Sequence, residues 1–481
     1  MNKSKVAVAL VAVLGATWIG GAWYTGKTAE SEYRRQIEYV NQKMAVSMGA
    51  EGTTVKIDNV KFERGLFSSD FSYDISIKST KEGEENWTLP FEGKLHHGPL
   101  PLDRLSKLNL SPVMFSATTQ IVKNDTTKTW FEATGGKNPA VGSTVMNYSQ
   151  RMSGDFSIAG GKLNYQGVDM SWTDAAVVYD TDKNGDGRYD YKIGSVKAFF
   201  NEESLQTFIA PEDASVLKTM DLEMTDLKGE YEVQPTALQK IFIGESKVTI
   251  GNMKYAYTYK DETPPIAVEF KNTAFDYNAA QNGDFLNYAL KNKSESISLN
   301  QKTLGELQLD IQLNHLSAKV MNDLAAMGAN DSQVNQAAGL ELLKNQPHLQ
   351  ISLLKLTTPN GKIEAGLNIE LANADFAQAL QGKILSLFKQ LNVQFSADKS
   401  ALENTLSVFA ELSGISKEEA DQFAKEEMDA LIQEGVQQQL IVSSDKDIGS
   451  TLLLENGELK FNGNVIPEEH IGMFLMGLMM Q

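Results

Sequence analysis

The residues best suited to chemistry in this sequence lie in the segment DTDKNGDGRYDY, residues 180–191. Its oxygen-bearing side chains recur at close, mostly alternate positions: Asp180, Asp182, Asn184, Asp186 and Asp190. Carboxylate and amide oxygens at this spacing are typical of calcium-binding loops, in which one position contributes its backbone carbonyl. Clustered carboxylates repel one another unless a cation or solvent offsets their charge. The segment therefore predicts one structural Ca²⁺ ion, with Asp186 contributing through its main chain.

The same segment also fits a plain turn between two strands. Position 12 of an EF-hand loop is a bidentate Glu, whereas this loop has Tyr191 there and Asp190 one position earlier. The flanking segments AAVVYD and YKIGSVKAFF are rich in β-branched and aromatic residues, which favours strands over the helices of an EF-hand. Asn-Gly and Asp-Gly pairs are good hairpin turns by themselves. The sequence thus predicts a β-hairpin whose tip either binds calcium or simply turns.

Other chemical patterns give little. The chain has no cysteine, which excludes disulfides, thiolate zinc sites and cysteine nucleophiles. Its five histidines form no H-E-x-x-H pattern, and the neighbours His96 and His97 should point to opposite faces of a strand, one buried and one exposed. We therefore expect no catalytic residues, no organic cofactor and a non-enzymatic protein.

Charge and composition limit the classes of partner that the protein can bind. The 481 residues carry a formal net charge of −18. An acidic chain is unsuited to nucleic acid, because phosphate binding needs a basic face. The hydrophobic content of 42% is enough for a large core.

The N-terminus predicts a membrane anchor. After Lys3 and Lys5, residues 6–24 carry no charge, and this run is long enough to span a bilayer core as a helix. The positive-inside rule keeps the lysines in the cytoplasm and exports the rest of the chain. Residues 1–27 are therefore predicted to be a cytoplasmic tip and an uncleaved transmembrane signal anchor. The alternative is a cleaved signal peptide, for which residues 20–22 form only a weak cleavage site.

Residues 28–50 are predicted to be an amphipathic helical connector. Tyr33, Ile37, Val40 and Met44 recur at helical spacing and form one stripe. This stripe needs a partner, either the protein's own body or a second copy in a dimer. Residues 51–481 are predicted to form one β-rich body, with a possible subdivision near 300–320.

Beyond residue 50 the apolar residues alternate. In FSYDISIK, for example, Phe71, Tyr73, Ile75 and Ile77 fall on one face of a strand, with polar residues between them. Strands with one dry and one wet face are typical of antiparallel sheets.

Helices are predicted mainly in the second half of the chain. Helical patterns cover residues 316–327, 375–391, 400–412 and 416–439. Ser416 and Glu419 have capping-box spacing, and a hairpin turning at Asn456-Gly457 closes the body. The predicted fold class is α+β: a mainly antiparallel β-sheet body with several helices in the C-terminal half, plus one N-terminal transmembrane helix.

Several segments carry a family resemblance. The stretches FERGLFSS (residues 62–69), GKLHHGPLPL (93–102) and LENGELKFNGNVIP (454–467), together with the N-terminal segment, resemble the YdgA-like proteins of Gram-negative bacteria. These are inner-membrane-anchored envelope proteins grouped under a domain of unknown function. The resemblance implies a single-pass protein of the cell inner membrane with its body in the periplasm, and it implies no catalytic residue.

These observations favour a non-enzymatic envelope protein that binds a lipid or a protein partner on a β-sheet surface. Two alternatives stay open: a membrane-tethered periplasmic hydrolase acting on envelope glycans, and a dimeric scaffold or assembly factor. A continuous apolar surface in the structure would favour lipid binding. A cleft with convergent carboxylates would favour the hydrolase, and a filled core would favour the scaffold.

Overall fold

The computed structural model describes residues 22, 24–35, 37–38, 40–41, 53–79, 86–238, 241–327, 332–372 and 383–472. Within these residues one antiparallel sheet carries the architecture, and helices lie against parts of it. The predicted α+β class with a mainly antiparallel sheet is confirmed.

The strands of the sheet are β1 (Thr53–Arg64), β2 (Ser68–Ser79), β3 (Trp87–His97), β4 (Phe115–Ile121), β5 (Ala140–Met146), β6 (Met152–Ile158), β7 (Gly161–Tyr165), β8 (Val168–Trp172), β9 (Ala175–Thr181), β10 (Gly187–Phe200), β11 (Leu217–Pro235), β12 (Phe242–Tyr259), β13 (Ile266–Asn282), β14 (Phe285–Leu299), β15 (Lys302–Ser317), β16 (His348–Thr358), β17 (Gly361–Leu371), β18 (Phe388–Asp398), β19 (Val442–Ser443), β20 (Asp447–Glu455), β21 (Glu458–Phe461) and β22 (Asn464–Val465). The helices are α1 (residues 24–35), α2 (Leu102–Leu105), α3 (Lys128–Ala133), α4 (Glu202–Phe208), α5 (Pro211–Val216), α6 (Ala318–Met327), α7 (Ser332–Lys344), α8 (Lys399–Glu411) and α9 (Lys417–Gln437).

Most strands pair with the strands next to them in the sequence, so the sheet is largely a meander. Strands β1 to β6 follow one another, and β9 then pairs with both β6 and β10. The β7–β8 hairpin pairs with the far half of β10. From β10 to β18 each strand pairs with the next, and β20 and β21 follow β18. This order builds one very wide layer of strands.

The two faces of this layer differ in chemistry. One face carries cross-strand ion pairs, such as Lys197–Glu223 at 2.7 Å and Lys355–Glu364 at 3.4 Å. We call it the charged face. The opposite face, here the apolar face, carries the aromatic and aliphatic side chains of the same strands. Its central row follows the strand register through Leu95, Ala117, Thr144, Gly154, Tyr179, Tyr189, Tyr231, Ser246, Tyr277, Leu290, Ile311, Ile351, Leu367, Val393 and Leu452.

Five consecutive strands, β10 to β14, change their alternation once, and they do so at the same level of the sheet. Elsewhere every second residue of these strands points to the apolar face, but at this level two successive apolar-face residues are three positions apart. The pairs, in strand order from β10 to β14, are Ile193 and Val196, Met224 and Leu227, Ile250 and Met253, Phe270 and Thr273, and Ser294 and Ile297. The register stays unbroken because every strand makes the same change. Asp226 (φ 54°) and Asn272 (φ 49°) adopt left-handed backbone conformations at this level, which Asp and Asn tolerate better than most residues.

We call this level of the sheet the bend. It keeps the apolar side chains above and below it on the same side of the sheet. Ile250, Thr273 and Ser294 are 8%, 2% and 1% exposed. In the described residues, the extensive contacts of β12, β13 and β14 are all with neighbouring strands. Among the described elements no helix covers these side chains extensively, so neighbouring strands supply most of their burial.

Helix α1 packs on the apolar face at the first strands. Tyr33 lies against Phe62 and Phe71, with ring centroids 5.5 and 5.2 Å apart. Ile37 and Val40 of the predicted stripe are half-buried. Met44 lies outside the described residues. The stripe therefore finds at least part of its partner in the protein's own body.

No helix in the described part of the chain is both long and apolar enough to cross a membrane. The predicted anchor, residues 6–24, lies almost wholly outside that part, so it stays a prediction.

The predicted helices at 316–327, 400–412 and 416–439 are confirmed as α6, α8 and α9, and Ser416 and Glu419 form the predicted capping box. The prediction for 375–391 is wrong over its last residues: Ile384–Leu387 is a 3₁₀ turn and β18 begins at Phe388. Residues 375–382 lie outside the described part. Leu391, assigned to a helical stripe, instead pairs with Ile369 across the sheet. Pairing with distant strands determines the secondary structure of this segment, and such pairing cannot be read from the local spacing of apolar residues.

The bend predicts a specific effect at Asn272. Replacing Asn272 by Val puts a β-branched side chain into a left-handed conformation and should lower the free energy of unfolding by about 1–2 kcal/mol. Asn272→Gly loses the same exposed hydrogen bond to Glu295 but tolerates φ 49°. Urea unfolding of both variants separates the two effects, and an equal loss in both would show that the backbone conformation is not the constraint.

Candidate functional site

The aspartate segment forms the tip of the β9–β10 hairpin, as the sequence predicts. Gly187 pairs with Thr181, so residues 182–186 form the loop. The Asp182 carboxylate accepts hydrogen bonds from the backbone N–H groups of Asn184 (2.7 Å) and Asp186 (3.0 Å). The backbone N–H of Asp182 also donates to the carbonyl of Asp186 at 2.8 Å. Asp182 is therefore engaged in holding the turn.

Two other aspartates of the segment face arginines. Arg151 forms an ion pair with Asp180, and Arg188 pairs with Asp190 at 2.9 Å. In the strand register Asp180 lies opposite Arg188, not opposite Asp190. Within the described residues no three acidic or histidine side chains are grouped closely enough to hold a metal ion. The Ca²⁺ ion stays a prediction, and binding by the whole set would require both arginine pairs to open.

A larger feature lies on the apolar face: a cavity of about 990 Å³ between α3 and strands β3 to β8. Three of the five tryptophans of the chain, Trp87, Trp130 and Trp172, contribute to its wall. We call it the tryptophan cavity. Its full lining is Asn86, Trp87, Leu89, Phe91, Ile121, Asp125, Thr126, Thr129, Trp130, Thr134, Pro139, Ala140, Phe156, Ile158, Ala159, Leu163, Tyr165, Met170 and Trp172.

The strand register sets the positions of these aromatic rings. The Trp87 ring centroid lies 6.0 Å from that of Trp130 and 6.3 Å from that of Tyr165. The Trp172 indole N–H donates to the carbonyl of Ala159 at 2.9 Å. A Cβ at Gly161, the cross-strand neighbour of Trp172, would lie 2.8 Å from the indole, so this glycine makes room for the ring. The indole's polar group is satisfied, which leaves its ring for apolar contact.

The chemistry of the cavity suits hydrocarbon. Asp125 is its one charged lining residue, and the other polar groups are hydroxyls and an amide. Without a lysine or arginine in its wall, the cavity is poorly suited to a phosphate or carboxylate group. Its volume lies within the range of about 300–1,000 Å³ typical of small-molecule sites. An apolar chain or ring system is therefore the ligand that fits best.

A line of aromatic rings connects this cavity to α1. Tyr33 contacts Phe71, the Phe71 and Tyr73 rings lie 6.4 Å apart, and Tyr73 stacks on Phe91 at 5.3 Å. Phe91 is part of the cavity wall. A second cavity of about 180 Å³ lies beside Tyr33, Phe71 and Tyr73. Burial raises the pKa of Tyr33 and of Tyr73, which keeps both hydroxyls neutral.

The central row of the apolar face, which contains no charged residue, passes beside the cavity: Gly154 of the row and Phe156 of the cavity wall are successive residues on that face of β6. Tyr277 in this row is 38% exposed and stacks on Tyr288 with ring centroids 6.2 Å apart. Burial, with smaller effects of Tyr288 and Tyr231, raises the pKa of Tyr277 to about 12. The phenol is therefore neutral at any physiological pH.

Of the neighbouring histidines, His96 is half-buried, where the sequence predicted an exposed side chain, and His97 is buried and gives no accessible catalytic group. Ser69 Oγ lies 2.7 Å from His97 Nε2, but the two side chains are 0% and 2% exposed. Burial lowers the pKa of His97, whose Nδ1 lies 3.2 Å from the Leu66 carbonyl. Gly26 packs on the imidazole, and Thr25 donates to the Gly98 carbonyl at 3.0 Å. This pair helps to seat the start of α1 on the sheet.

Sequence reasoning missed the tryptophan cavity. Its three tryptophans are far apart in the chain and come together only through the pairing of β3 with β4 and the folding back of β7 and β8. The one local signal is the rarity of tryptophan itself, since three of five fall within residues 87–172.

The chain belongs to the family described as "Bacterial protein of unknown function (DUF945)", whose model matches residues 1–469. Protein YdgA of Escherichia coli is 24% identical, with 99% of this chain and 97% of the relative covered. An uncharacterized protein of Haemophilus influenzae is 30% identical over 69% of this chain and 89% of its own length. Uncharacterized protein YihF of Escherichia coli is 20% identical, with 97% of both chains covered. No solved structure shows a significant match.

The turn geometry allows the calcium prediction to be tested cleanly. Asp182→Asn keeps an oxygen for the two backbone N–H groups, whereas Asp182→Ala removes it and should cost about 1 kcal/mol without calcium. If the loop binds Ca²⁺, millimolar calcium should raise the melting temperature of the wild type and raise that of Asp182→Asn much less. Calorimetry with and without calcium measures both effects. Equal responses in wild type and Asp182→Asn would leave the segment as a turn alone.

Proposed function

We propose that this protein binds the hydrocarbon part of a lipid on its apolar face, most deeply in the tryptophan cavity, as a non-enzymatic protein of the cell envelope. The observation that carries the proposal is the cavity of about 990 Å³, whose wall is mainly aromatic and aliphatic, with a few neutral polar side chains and a single charged residue, Asp125. Large apolar surfaces that face water are typical of binding sites in proteins, because contact between apolar side chains and water is unfavourable.

Burial of hydrocarbon supplies the affinity. Each methylene removed from water contributes about 0.8 kcal/mol, so ten buried methylenes contribute roughly 8 kcal/mol before the cost of ordering the ligand. Indole and phenyl rings add large, rigid contact area at little entropic cost. The lack of lysine and arginine in the cavity wall places a charged head group outside it.

The proposed location follows from the anchor that the sequence predicts. Residues 6–24 would hold the chain in the inner membrane, with the body in the periplasm. Helix α1 begins next to that segment and packs on the apolar face beside the line of aromatic rings that leads to the cavity. With the anchor in the membrane, this arrangement would hold the line of aromatic rings close to the bilayer that supplies the lipid.

Two matched variants test the proposal. Ile158 lines the cavity and is 42% exposed, and Val178 on the neighbouring β9 is 51% exposed on the charged face. Both tolerate a polar side chain without loss of core packing. Ile158→Gln places an amide against hydrocarbon and should weaken lipid retention about tenfold, since an unsatisfied polar group costs about 1–3 kcal/mol. Val178→Gln should leave retention unchanged.

Native mass spectrometry of the full chain released from mild detergent measures this retention. The wild type and Val178→Gln should carry phospholipid masses that Ile158→Gln largely lacks. Lipid held only around the anchor would be retained equally by all three proteins, and that result, or no lipid on any of them, would contradict the proposal.

A further inference from the structure

The apolar face extends far beyond the tryptophan cavity. The central row joins fifteen strands, which at about 4.8 Å per strand gives a length of roughly 70 Å. An acyl chain in one leaflet spans half of a hydrocarbon core of about 30 Å, or roughly 15 Å. The row is therefore several acyl chains long.

The row is uniform in chemistry along this length. Its only polar members are neutral: hydroxyl groups of serine, threonine and tyrosine. Lysines and carboxylates of the same strands, such as Lys291 and Asp310, lie on the charged face. Nothing in the row would stop a hydrocarbon chain or hold a charged head group at one point.

The central row lies on one side of the bend, and the bend keeps the apolar residues on its other side on the same face of the sheet. A regular two-residue alternation would turn the apolar residues of β10 to β14 to the charged face on one side of the bend. The shared three-residue step, as between Ile250 and Met253, keeps both arms on the same face. Five strands make the same step at the same level, which a site confined to the tryptophan cavity would not require.

Helices leave the middle of the face open. In the described residues α4 and α5 pack beside Leu217 and Met220, and α6 packs beside Leu286 and Leu316, at opposite ends of the long strands. Between these ends, Tyr277 and Leu354 are each 38% exposed.

We propose that the apolar face is a continuous track that holds several lipid molecules in series, from the tryptophan cavity near α1 toward β20. This inference rests on the proposed function, because it states how many molecules of the same ligand are bound and where on the apolar face they lie. Lipid is favoured over a protein partner because the track is continuous with a cavity that has room for hydrocarbon and no basic group for a charged segment.

The test counts phospholipid molecules per chain by native mass spectrometry of the full-length protein, prepared with phosphatidylethanolamine as the probe lipid. Ile311 and Gln312 are neighbours on β15 that point to the apolar and charged faces. Wild type and Gln312→Glu should carry more than one lipid. Ile311→Glu should carry fewer than wild type but keep the lipid in the cavity. Tyr277→Gln, at a more exposed position, repeats the test if Ile311→Glu fails to fold.

Each result decides between the two proposals. One lipid per wild-type chain, lost in Ile158→Gln and kept in Ile311→Glu, would overturn the track and leave the single cavity. No lipid in the wild type would overturn the proposed function itself. Equal loss in Ile311→Glu and Gln312→Glu would show that the apolar face has no special role and would also overturn the track. A polypeptide bound in place of lipid would identify the face as a protein interface and contradict both.

Discussion

The alternation of side chains along a β-strand is the constraint on which this structure depends. Successive residues point to opposite faces, so a single layer of strands can keep one apolar face only if every strand stays in phase with its neighbours. At the bend the alternation shifts by one residue, and it shifts in all five strands from β10 to β14 at the same level. The left-handed residues Asp226 and Asn272 absorb the change in two of these strands. The result is a layer whose central row faces the same side throughout.

This constraint explains why the apolar side differs from an ordinary core and why we propose it as a binding surface. In a sandwich, a second sheet would cover it. Here, in the described part of the chain, helices pack at the first strands, at the ends of the long strands and at the C-terminal strands. The ion pairs of the opposite face, such as Lys197–Glu223, keep that side in water. A hydrocarbon ligand, as we propose, would lower the exposure of this incompletely covered apolar side.

The local elements could be predicted from sequence because their signals are local. Alternation in FSYDISIK identifies β2, the Ser416–Glu419 spacing identifies the start of α9, and Asn456-Gly457 identifies the β20–β21 hairpin. The prediction for the segment near Phe388 was wrong because its apolar residues, three or four positions apart, fit a helix as well as a strand. Only the pairing with β17 makes it a strand. The tryptophan cavity depends on register between distant strands, which no local pattern encodes. The bend is different: Val248, Ile250, Met253 and Tyr255 show the change of spacing in the sequence itself.

The central claim is that acyl chains lie against the apolar face. A phospholipid with a photoactivatable group at the end of its acyl chain tests this directly, by cross-linking to the full-length protein in membranes and mapping of the modified peptides. The account predicts adducts in the cavity and along the central row, at positions such as Ile158 and Tyr277, and none at Val178 on the charged face. Adducts confined to residues 6–24, or spread equally over both faces, would contradict it.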